Sequence, residues 1–334
     1  MKILVTGGAG FIGSNLISIL QKNGYHAICF DNFDEFKEQK QLNISPFLDS
    51  ENFTLIEGDI CNMDHLKSIP DIDVIVHLAA KTNVRSSINN ARRFYEVNVS
   101  GTKNLLEFAR LRRVKQFVFA SSSSVYGINP AIPWTEDAFP LPVSPYAISK
   151  LRCEEIGRFY SDQYGIRFLA LRFFNVFGPA QRPDLVIHKF FKYILEGRPL
   201  EVLGDGRSSR DYTFVGDIVD GILSAIGYDQ SDFEVINLGA QRSVNLMDLI
   251  IAIEEICQSP ATINHCPEQP GDLLITYASI GKAKKILNYV PQNIFKEGLT
   301  AFYSWFISVK ENRFTLPDPA ILDIHSNILR DDIS

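Results

Sequence analysis

The run Gly7-Gly8-Ala9-Gly10-Phe11-Ile12-Gly13 narrows the possible folds of this chain more than any other segment. It follows the apolar stretch Lys2 to Thr6 directly and opens a helical pattern, Phe11 to Lys22. Gly7, Gly10 and Gly13 therefore stand at G-x-x-G-x-x-G spacing between a strand and a helix. Glycines in such a place permit a tight turn, close backbone approach to a pyrophosphate and tight helix–strand packing. The helix N-terminus adds stabilisation of negative charge. A Gly-rich turn alone can be only a turn; its position here favours a dinucleotide site, with Gly7, Gly10, Phe11, Ile12 and Gly13 against the cofactor.

The pattern after this motif agrees. Strands are expected at Lys2 to Thr6, His26 to Asp31, Phe53 to Glu57, Val74 to Leu78, Gln116 to Ala120 and Arg167 to Arg172. Phe11 to Lys22, Ala91 to Leu111 and Tyr146 to Tyr164 carry apolar residues at helical spacing. Alternation of this kind predicts an α/β chain with a doubly wound parallel sheet, a Rossmann domain over residues 1–174. Beyond it, Gly- and Pro-containing stretches separate shorter elements. Residues 175–307 are expected to form a smaller mixed α/β substrate domain, with some segments able to return to the first. Residues 308–334 lose periodicity around Pro317 and Pro319 and read as a docked or disordered tail.

With 33 Lys and Arg against 39 Asp and Glu, the net charge of −6 offers no electrostatic footprint for nucleic acid or an anionic membrane. An anionic ligand would need dedicated local cations. The five cysteines, Cys29, Cys61, Cys153, Cys257 and Cys266, lie far apart with neither metal-ligand spacing nor a disulfide framework. The first strand begins at Lys2, leaving no room for a signal sequence, and no apolar run is long enough to span a bilayer. A soluble cytoplasmic protein is expected. The histidines His26, His65, His188, His265 and His325 share no ligand spacing and give no metal site, and His77 reads as a buried strand-end residue.

Asp31 ends the second strand, where a carboxylate can accept hydrogen bonds from ribose hydroxyls and repel a 2′-phosphate, so NAD is preferred over NADP. The plainer alternative makes Asp31-Asn32 turn chemistry. Tyr146 and Lys150 lie one helical turn apart on one face. A nearby ammonium favours a phenolate, and a phenolate can serve as a base near neutrality. Alone the pair would read as a solvated helix face. The run Ser121-Ser122-Ser123-Ser124-Val125-Tyr126-Gly127 changes the weighing, because it follows a strand at the carboxyl edge where this fold holds its ligand. A hydroxyl there can bond a substrate oxygen that gains or loses a proton.

These residues, with Gly58-Asp59-Ile60, His77-Leu78-Ala79-Ala80 and Asn98-Val99-Ser100-Gly101-Thr102, resemble the NAD-dependent epimerase/dehydratase branch of the extended short-chain dehydrogenases. The likeness continues through Leu171-Arg172-Phe173-Phe174-Asn175-Val176-Phe177-Gly178-Pro179, Arg182-Pro183-Asp184, Gly204-Asp205-Gly206, Arg210-Asp211-Tyr212 and Gln269-Pro270-Gly271-Asp272. It spans nearly everything up to Phe306. The resemblance implies that Asp31, Asn32, Asp59, Ile60, Ala79, Ala80, Lys81 and Asn98 join Tyr146 and Lys150 around NAD. It also implies that Ser122 binds the sugar hydroxyl with Tyr146, beside Ser123 and Ser124. Asn175 would contact the nucleotide sugar, Arg210 its pyrophosphate, and Asp272 would help close the nucleotide pocket. At Gln269, where relatives often carry a basic pyrophosphate ligand, this chain has an amide.

The activity so implied is an isomerase, a 4-epimerase of a UDP-hexose. Tyr146 would take the 4-hydroxyl proton, Lys150 would hold the nicotinamide ribose and lower the tyrosine pKa, and a transient 4-keto sugar would turn before reduction on its opposite face. A nucleotide-sugar dehydratase is the alternative within the family. Related dehydratases carry an Asp-Glu pair where this chain has Ser123 and Ser124. A non-catalytic NAD-binding protein is the alternative outside enzymes. The substrate stays open among UDP-glucose, UDP-N-acetylglucosamine and UDP-glucuronate. Arg182-Pro183-Asp184 is similar to the uronate enzymes, where the arginine faces the sugar carboxylate, whereas Asn175 is more typical of the others. A homodimer is expected by likeness, through the Ala91 to Leu111 and Tyr146 to Tyr164 helices.

Overall fold

The computed structural model describes residues 1–267, 274–292 and 295–311. Its strands are β1 (Lys2–Thr6), β2 (His26–Asp31), β3 (Phe53–Glu57), β4 (Val74–His77), β5 (Gln116–Ser122), β6 (Arg167–Phe173), β7 (Asn175–Phe177), β8 (Leu200–Leu203), β9 (Ser209–Phe214), β10 (Phe233–Leu238), β11 (Ser243–Asn245) and β12 (Ile263–Cys266). Seven of them form one sheet in the order β10-β6-β5-β4-β1-β2-β3, with every neighbouring pair parallel. The doubly wound α/β reading is borne out. Chain direction of travel reverses at β1, which pairs with β2 on one side and β4 on the other, and that reversal opens a crevice at the strands' carboxyl ends.

Both faces of the sheet are covered, so its strands read as continuous apolar runs. Along β1 the side chains alternate: Ile3 and Val5 enter one apolar cluster and Leu4 the other. The first cluster takes Leu16, Ile17 and Leu20 from the Phe11–Lys22 helix and Ile218, Val219 and Ile222 from the Val215–Ile226 helix. The second takes Leu105, Leu106 and Phe108 from the Gly101–Arg112 helix and Cys153 and Tyr160 from the Pro145–Tyr164 helix.

The six expected strands are present. β5 runs on through Ser122 and β6 through Phe173, while β4 stops at His77. Residues past 174 contribute the seventh strand, β10, beside β6. The remaining strands make the small sheets β11-β9-β7 and β12-β8. The Pro145–Tyr164 helix begins at Ser144, whose hydroxyl accepts the Ala147 N–H at 3.1 Å, and ends at Gly165 with φ 62°. The Ala91 to Leu111 pattern is not one uniform helix. Ala91–Phe94 and Gly101–Arg112 are α-helical, and Tyr95–Ser100 between them winds as a π-helix. Ser308, expected at the start of the tail, lies inside the Phe295–Lys310 helix, whose apolar positions Leu299, Phe302 and Trp305 are buried. Residues 312–334 fall outside the described residues. Among the described residues no helix is long and apolar enough to cross a membrane.

The turn after β1 leaves no spare volume at Gly13. A Cβ on Gly13 would sit 2.4 Å from the Gly7 carbonyl oxygen and 2.6 Å from the Gly8 Cα, both backbone atoms that a rotamer change cannot move. Gly13→Ala is expected to destabilise the fold by about 1–3 kcal/mol, the usual range for forced overpacking. Urea unfolding measures this, and an unchanged midpoint would show that the turn relaxes freely.

Candidate active site

A cleft of about 1250 Å³ opens along the carboxyl ends of the parallel strands. Drug-sized ligand sites run roughly 300–1,000 Å³, so this one has room for more than a single small molecule. Gly7, Gly10, Phe11, Ile12 and Gly13 line it after β1, Asp31 and Asn32 at β2, and Asp59 and Ile60 after β3. Ala79, Ala80 and Lys81 line it after β4, and Ser122, Ser123 and Ser124 at the end of β5. Tyr146, Lys150, Asn175, Arg182 and Arg210 complete the expected set. Asp272 and Gln269 lie outside the described residues.

The turn fits a dinucleotide by an observation independent of its spacing. Gly7 has φ +70°, and a Cβ there would stand 2.7 Å from the Ala79 backbone nitrogen. A Cβ on Gly10 would meet within 4 Å only the Gly7 carbonyl oxygen, at 3.1 Å, so that side of the turn faces the cleft. The helix starting there has no capping side chain and no acidic residue in its first turn, which leaves its positive end available to an anion.

Asp31 is held more firmly than the sequence indicates. Its Oδ1 accepts the Phe33 N–H at 2.9 Å and the Lys40 ammonium at 2.8 Å, and its Oδ2 accepts the Ala9 N–H at 3.2 Å. Asn32 accepts the Asp34 N–H at 3.1 Å. Turn chemistry and cleft lining thus coexist at this strand end. Asn98 is buried, and its amide brackets the Lys81 backbone at 2.8 and 3.0 Å and donates to Ser149 at 2.9 Å. Its hydrogen bonds support the Lys81 loop.

Ser122, Tyr146 and Lys150 meet in the cleft, all nearly buried. Burial pushes the Tyr146 phenol above its ordinary pKa, while the Ser122 hydroxyl bonded to it and the Arg182 charge pull the other way. Burial also lowers Lys150, to about 8. The ammonium donates to the Ala120 carbonyl at 2.7 Å and lies 4.8 Å from the Phe119 ring centroid, and the Arg182 charge acts on Tyr146. Ser122 caps the short turn Ser123–Tyr126, accepting the Ser124 N–H at 3.1 Å.

Arg182 is forked onto Asp184, with Nε and a terminal nitrogen each 2.9 Å from a carboxylate oxygen, and its other terminal nitrogen bonds the Thr82 hydroxyl. The Arg182 charge holds Asp184 below the usual carboxylate range against the opposing effect of burial. Asn175 accepts the Thr276 hydroxyl at 3.2 Å, and Arg210 donates to the carbonyls of Ser209 and Leu274 at 3.0 and 3.3 Å.

The pattern of the NAD dependent epimerase/dehydratase family matches residues 3–239 of this chain. The chain belongs to that family. It is 36% identical to a UDP-glucuronate 4-epimerase of Thermodesulfobacterium geofontis, over 90% of this chain and 95% of the relative. The crystal structure of a UDP-glucuronic acid 4-epimerase from Bacillus cereus with UDP-glucuronic acid and NAD superimposes with a TM-score of 0.87 at 37% identity, covering 92% of this chain and 100% of the other. A UDP-glucose 4-epimerase from Thermotoga maritima with UDP-glucose gives a TM-score of 0.86 at 32% identity, covering 93% and 100%. An NAD-dependent enzyme of the UDP-sugar 4-epimerase class, as expected, is thereby borne out.

Within this family member, sequence reasoning missed the cleft residues Lys40, Thr82 and Asp184 as partners of Asp31 and Arg182. It also missed the strap formed by Lys81, which reaches Asp34 at 2.7 Å and Glu35 at 2.8 Å. The adjacent acids Asp34 and Glu35 were a signal for an ion-paired loop, though not for its partner. Burial weighs against the Lys81 ammonium, and the two carboxylates outweigh it and raise its pKa.

His77 is the buried strand-end residue expected, bonded to Thr6 at 2.7 Å and Thr102 at 2.9 Å. Burial, aided by the Lys150 charge, lowers its pKa from 6.5 to about 3. As pH falls below 6.5 the unfolded chain binds a proton that the folded chain refuses until about pH 3, so stability is lost through that window. One such proton contributes a slope of up to about 1.4 kcal/mol per pH unit. Urea unfolding of the wild type and His77→Gln between neutral and acidic pH is expected to give the shallower dependence for the variant. Parallel slopes would remove His77 from the acid response.

Proposed function

We propose that this chain is an NAD-dependent 4-epimerase of a UDP-hexose. One observation carries the reading: a single cleft brings the glycine turn, the Ser122, Tyr146 and Lys150 side chains, and the cations Arg182 and Arg210 together. Bound NAD supplies the acceptor and the donor of the C4 hydride. Gly7, Gly10 and Gly13 let the backbone approach its pyrophosphate, with Asp31 and Asn32 at its adenosine end. Tyr146 takes the 4-hydroxyl proton and returns it, and Ser122 bonds the same oxygen. Lys150 holds the nicotinamide ribose. Arg210 anchors the substrate pyrophosphate, leaving the hexose free to turn between its two faces, and Asn175 contacts the nucleotide sugar. Elimination of water would call for an acid and a base beside the sugar. The serine run offers hydroxyls at those positions, which supports epimerisation over dehydration.

A uronate as the hexose is a second reading, favoured by Arg182, which lines the cleft and acts on Tyr146. A sugar carboxylate would compete with Asp184 for that guanidinium. The decisive experiment incubates the enzyme with UDP-glucose, UDP-N-acetylglucosamine and UDP-glucuronate separately and follows C4 inversion by NMR. One interconverting pair is expected. A 4-keto-6-deoxy product would replace the epimerase reading with a dehydratase, and no turnover of any sugar would leave an NAD-binding protein. Tyr146→Phe is expected to lower kcat by about 100-fold or more while the bound NAD is retained, since proton transfer contributes on that order. Unchanged turnover would take Tyr146 out of the mechanism.

We also propose a homodimer. Tyr95 in the π-helical stretch, Leu111 in the Gly101–Arg112 helix and Ile148, Phe159 and Tyr164 on the Pro145–Tyr164 helix are all exposed apolar side chains. Exposed apolar side chains on neighbouring helices are what pairs in four-helix packing. Light scattering is expected to give twice the chain mass for the wild type and the chain mass for Phe159→Glu. A monomeric wild type would end this proposal.

A further inference from the structure

Behind the serine run lies an ion pair that the reaction above does not use. Glu154 and Arg172 are each 4% exposed. Arg172 Nε donates to Glu154 Oε1 at 3.0 Å and a terminal nitrogen donates to Oε2 at 2.7 Å, while the Ser121 hydroxyl also bonds Oε1. Ser121 and Arg172 are register partners on β5 and β6, so two adjacent strands grip one carboxylate. Glu154 stands one helical turn past Lys150 and two past Tyr146, on the same face. Lys150 in turn donates to the carbonyl of Ala120, the residue before Ser121. Consecutive turns of the helix therefore hold consecutive residues of β5.

The far end of the serine run is tied to the same pair. The Arg172 guanidinium lies 4.8 Å from the Tyr126 ring centroid, and the Tyr126 hydroxyl donates to Asn237 at 2.6 Å. Ser122, Ser123 and Ser124 thus sit between two ends that one ion pair anchors. A buried pair is a poor device for stability alone, because desolvation costs several kcal/mol per ion and apolar residues of similar volume often serve as well. The charges facing Lys150 limit the choice of role. Its own helix presents the Cys153 thiol and Glu154, and β4 presents His77. Burial keeps Cys153 protonated and His77 neutral, so the negative charge comes from Glu154.

We propose that Glu154, clamped by Arg172, is a positioning residue for proton transfer: it fixes the serine run against the Tyr146 face of the helix and keeps Lys150 an ammonium. The kinetic part of this inference rests on the epimerase reading; the effect on Lys150 does not. Two variants test it, Glu154→Gln and the double variant Glu154→Met with Arg172→Met, which removes the pair without stranding a buried charge. The Lys150 side-chain carbon resonance, assigned by its loss in Lys150→Met, is titrated in each protein as purified, and kcat and KM are measured across pH.

Removing a neighbouring negative charge disfavours the ammonium, so the Lys150 midpoint is expected to fall by roughly half a pH unit or more in Glu154→Gln; the double variant also loses the Arg172 cation, which opposes that fall, so its midpoint is expected nearer the wild type. The alkaline limb of kcat is expected to move the same way. A kcat about tenfold lower is expected, with KM within about twofold. Glu154→Asp, which keeps the charge, is expected to restore the midpoint. An unmoved midpoint in Glu154→Gln overturns the proposal, as does a kcat that stays at the wild-type value in both variants. Failure of both variants to fold overturns it too, reducing the pair to a stability element. If the wild type inverts no UDP-hexose, the reaction reading falls, and the Lys150 titration still decides whether Glu154 holds the charge.

Discussion

Gly7 is where three backbones converge, and the cleft depends on that convergence. Its N–H donates to the Phe30 carbonyl at 2.8 Å, which ties the turn to β2. Its own carbonyl oxygen stands where a Cβ on Gly13 would go, and its α-carbon faces the Ala79 backbone after β4. The close approach of turn, helix start and neighbouring strand puts the positive end of the Phe11–Lys22 helix at the point where chain connectivity reverses. A crevice with an anion-favouring wall follows from this packing, before any polar side chain is added. The chemistry-bearing groups then need only be carried to the same edge, and β5, β6 and the Pro145–Tyr164 helix do so.

Placing ionisable groups at a buried edge has an opposing cost. Desolvation raises the Tyr146 phenol and lowers the Lys150 ammonium, so burial alone would favour the neutral form of both. A base with an adjacent cation therefore depends on partners that reverse the effect of burial. Arg182 and Ser122 act on the phenol, and Glu154 acts on the ammonium. The division is informative: the cation that reaches Tyr146 comes from the loop after β7, far along the chain, and the anion that supports Lys150 comes from the next turn of its own helix.

That division also marks what the amino-acid sequence could disclose. Strands β1 to β6 were legible as short apolar runs rich in β-branched residues, and the helices after β1 and at Tyr146 because their apolar residues recur at helical spacing. The glycine turn was legible for a related reason, since its spacing has meaning only between a strand and a helix. The π-helical stretch at Tyr95–Ser100 was not, because its apolar positions also satisfy an α-helix. The hydrogen bonds of the Asn98 amide to Lys81 and Ser149 were not legible either, because no local pattern announces them. Thr82 was illegible because a hydrogen bond joining positions far apart, as from Arg182 to Thr82, leaves no periodic trace, and the nearer pairs of Lys40 with Asp31 and Asp184 with Arg182 follow no repeating spacing either. β10 escaped notice as a member of the main sheet because pairing with β6 is a matter of topology, and its short run resembles the strands of the small sheets.

The two ends of the serine run show why such cross-chain bonds matter more to chemistry than to fold. A run of small polar residues has no apolar side chain with which to fix itself, and its backbone would otherwise sample several turns. Here its start is bonded through Ser121 to a helix and its end is held through Tyr126, which stacks on Trp134 with ring centroids 5.1 Å apart. Between those anchors Ser122 can keep one orientation toward Tyr146, and an active-site hydroxyl held within a few tenths of an ångström of its working position is worth far more than one that must be recruited at each turnover. The sheet would survive a looser connection. The geometry at its carboxyl edge would not, and that edge is the part of the molecule where proton transfer has to be aimed.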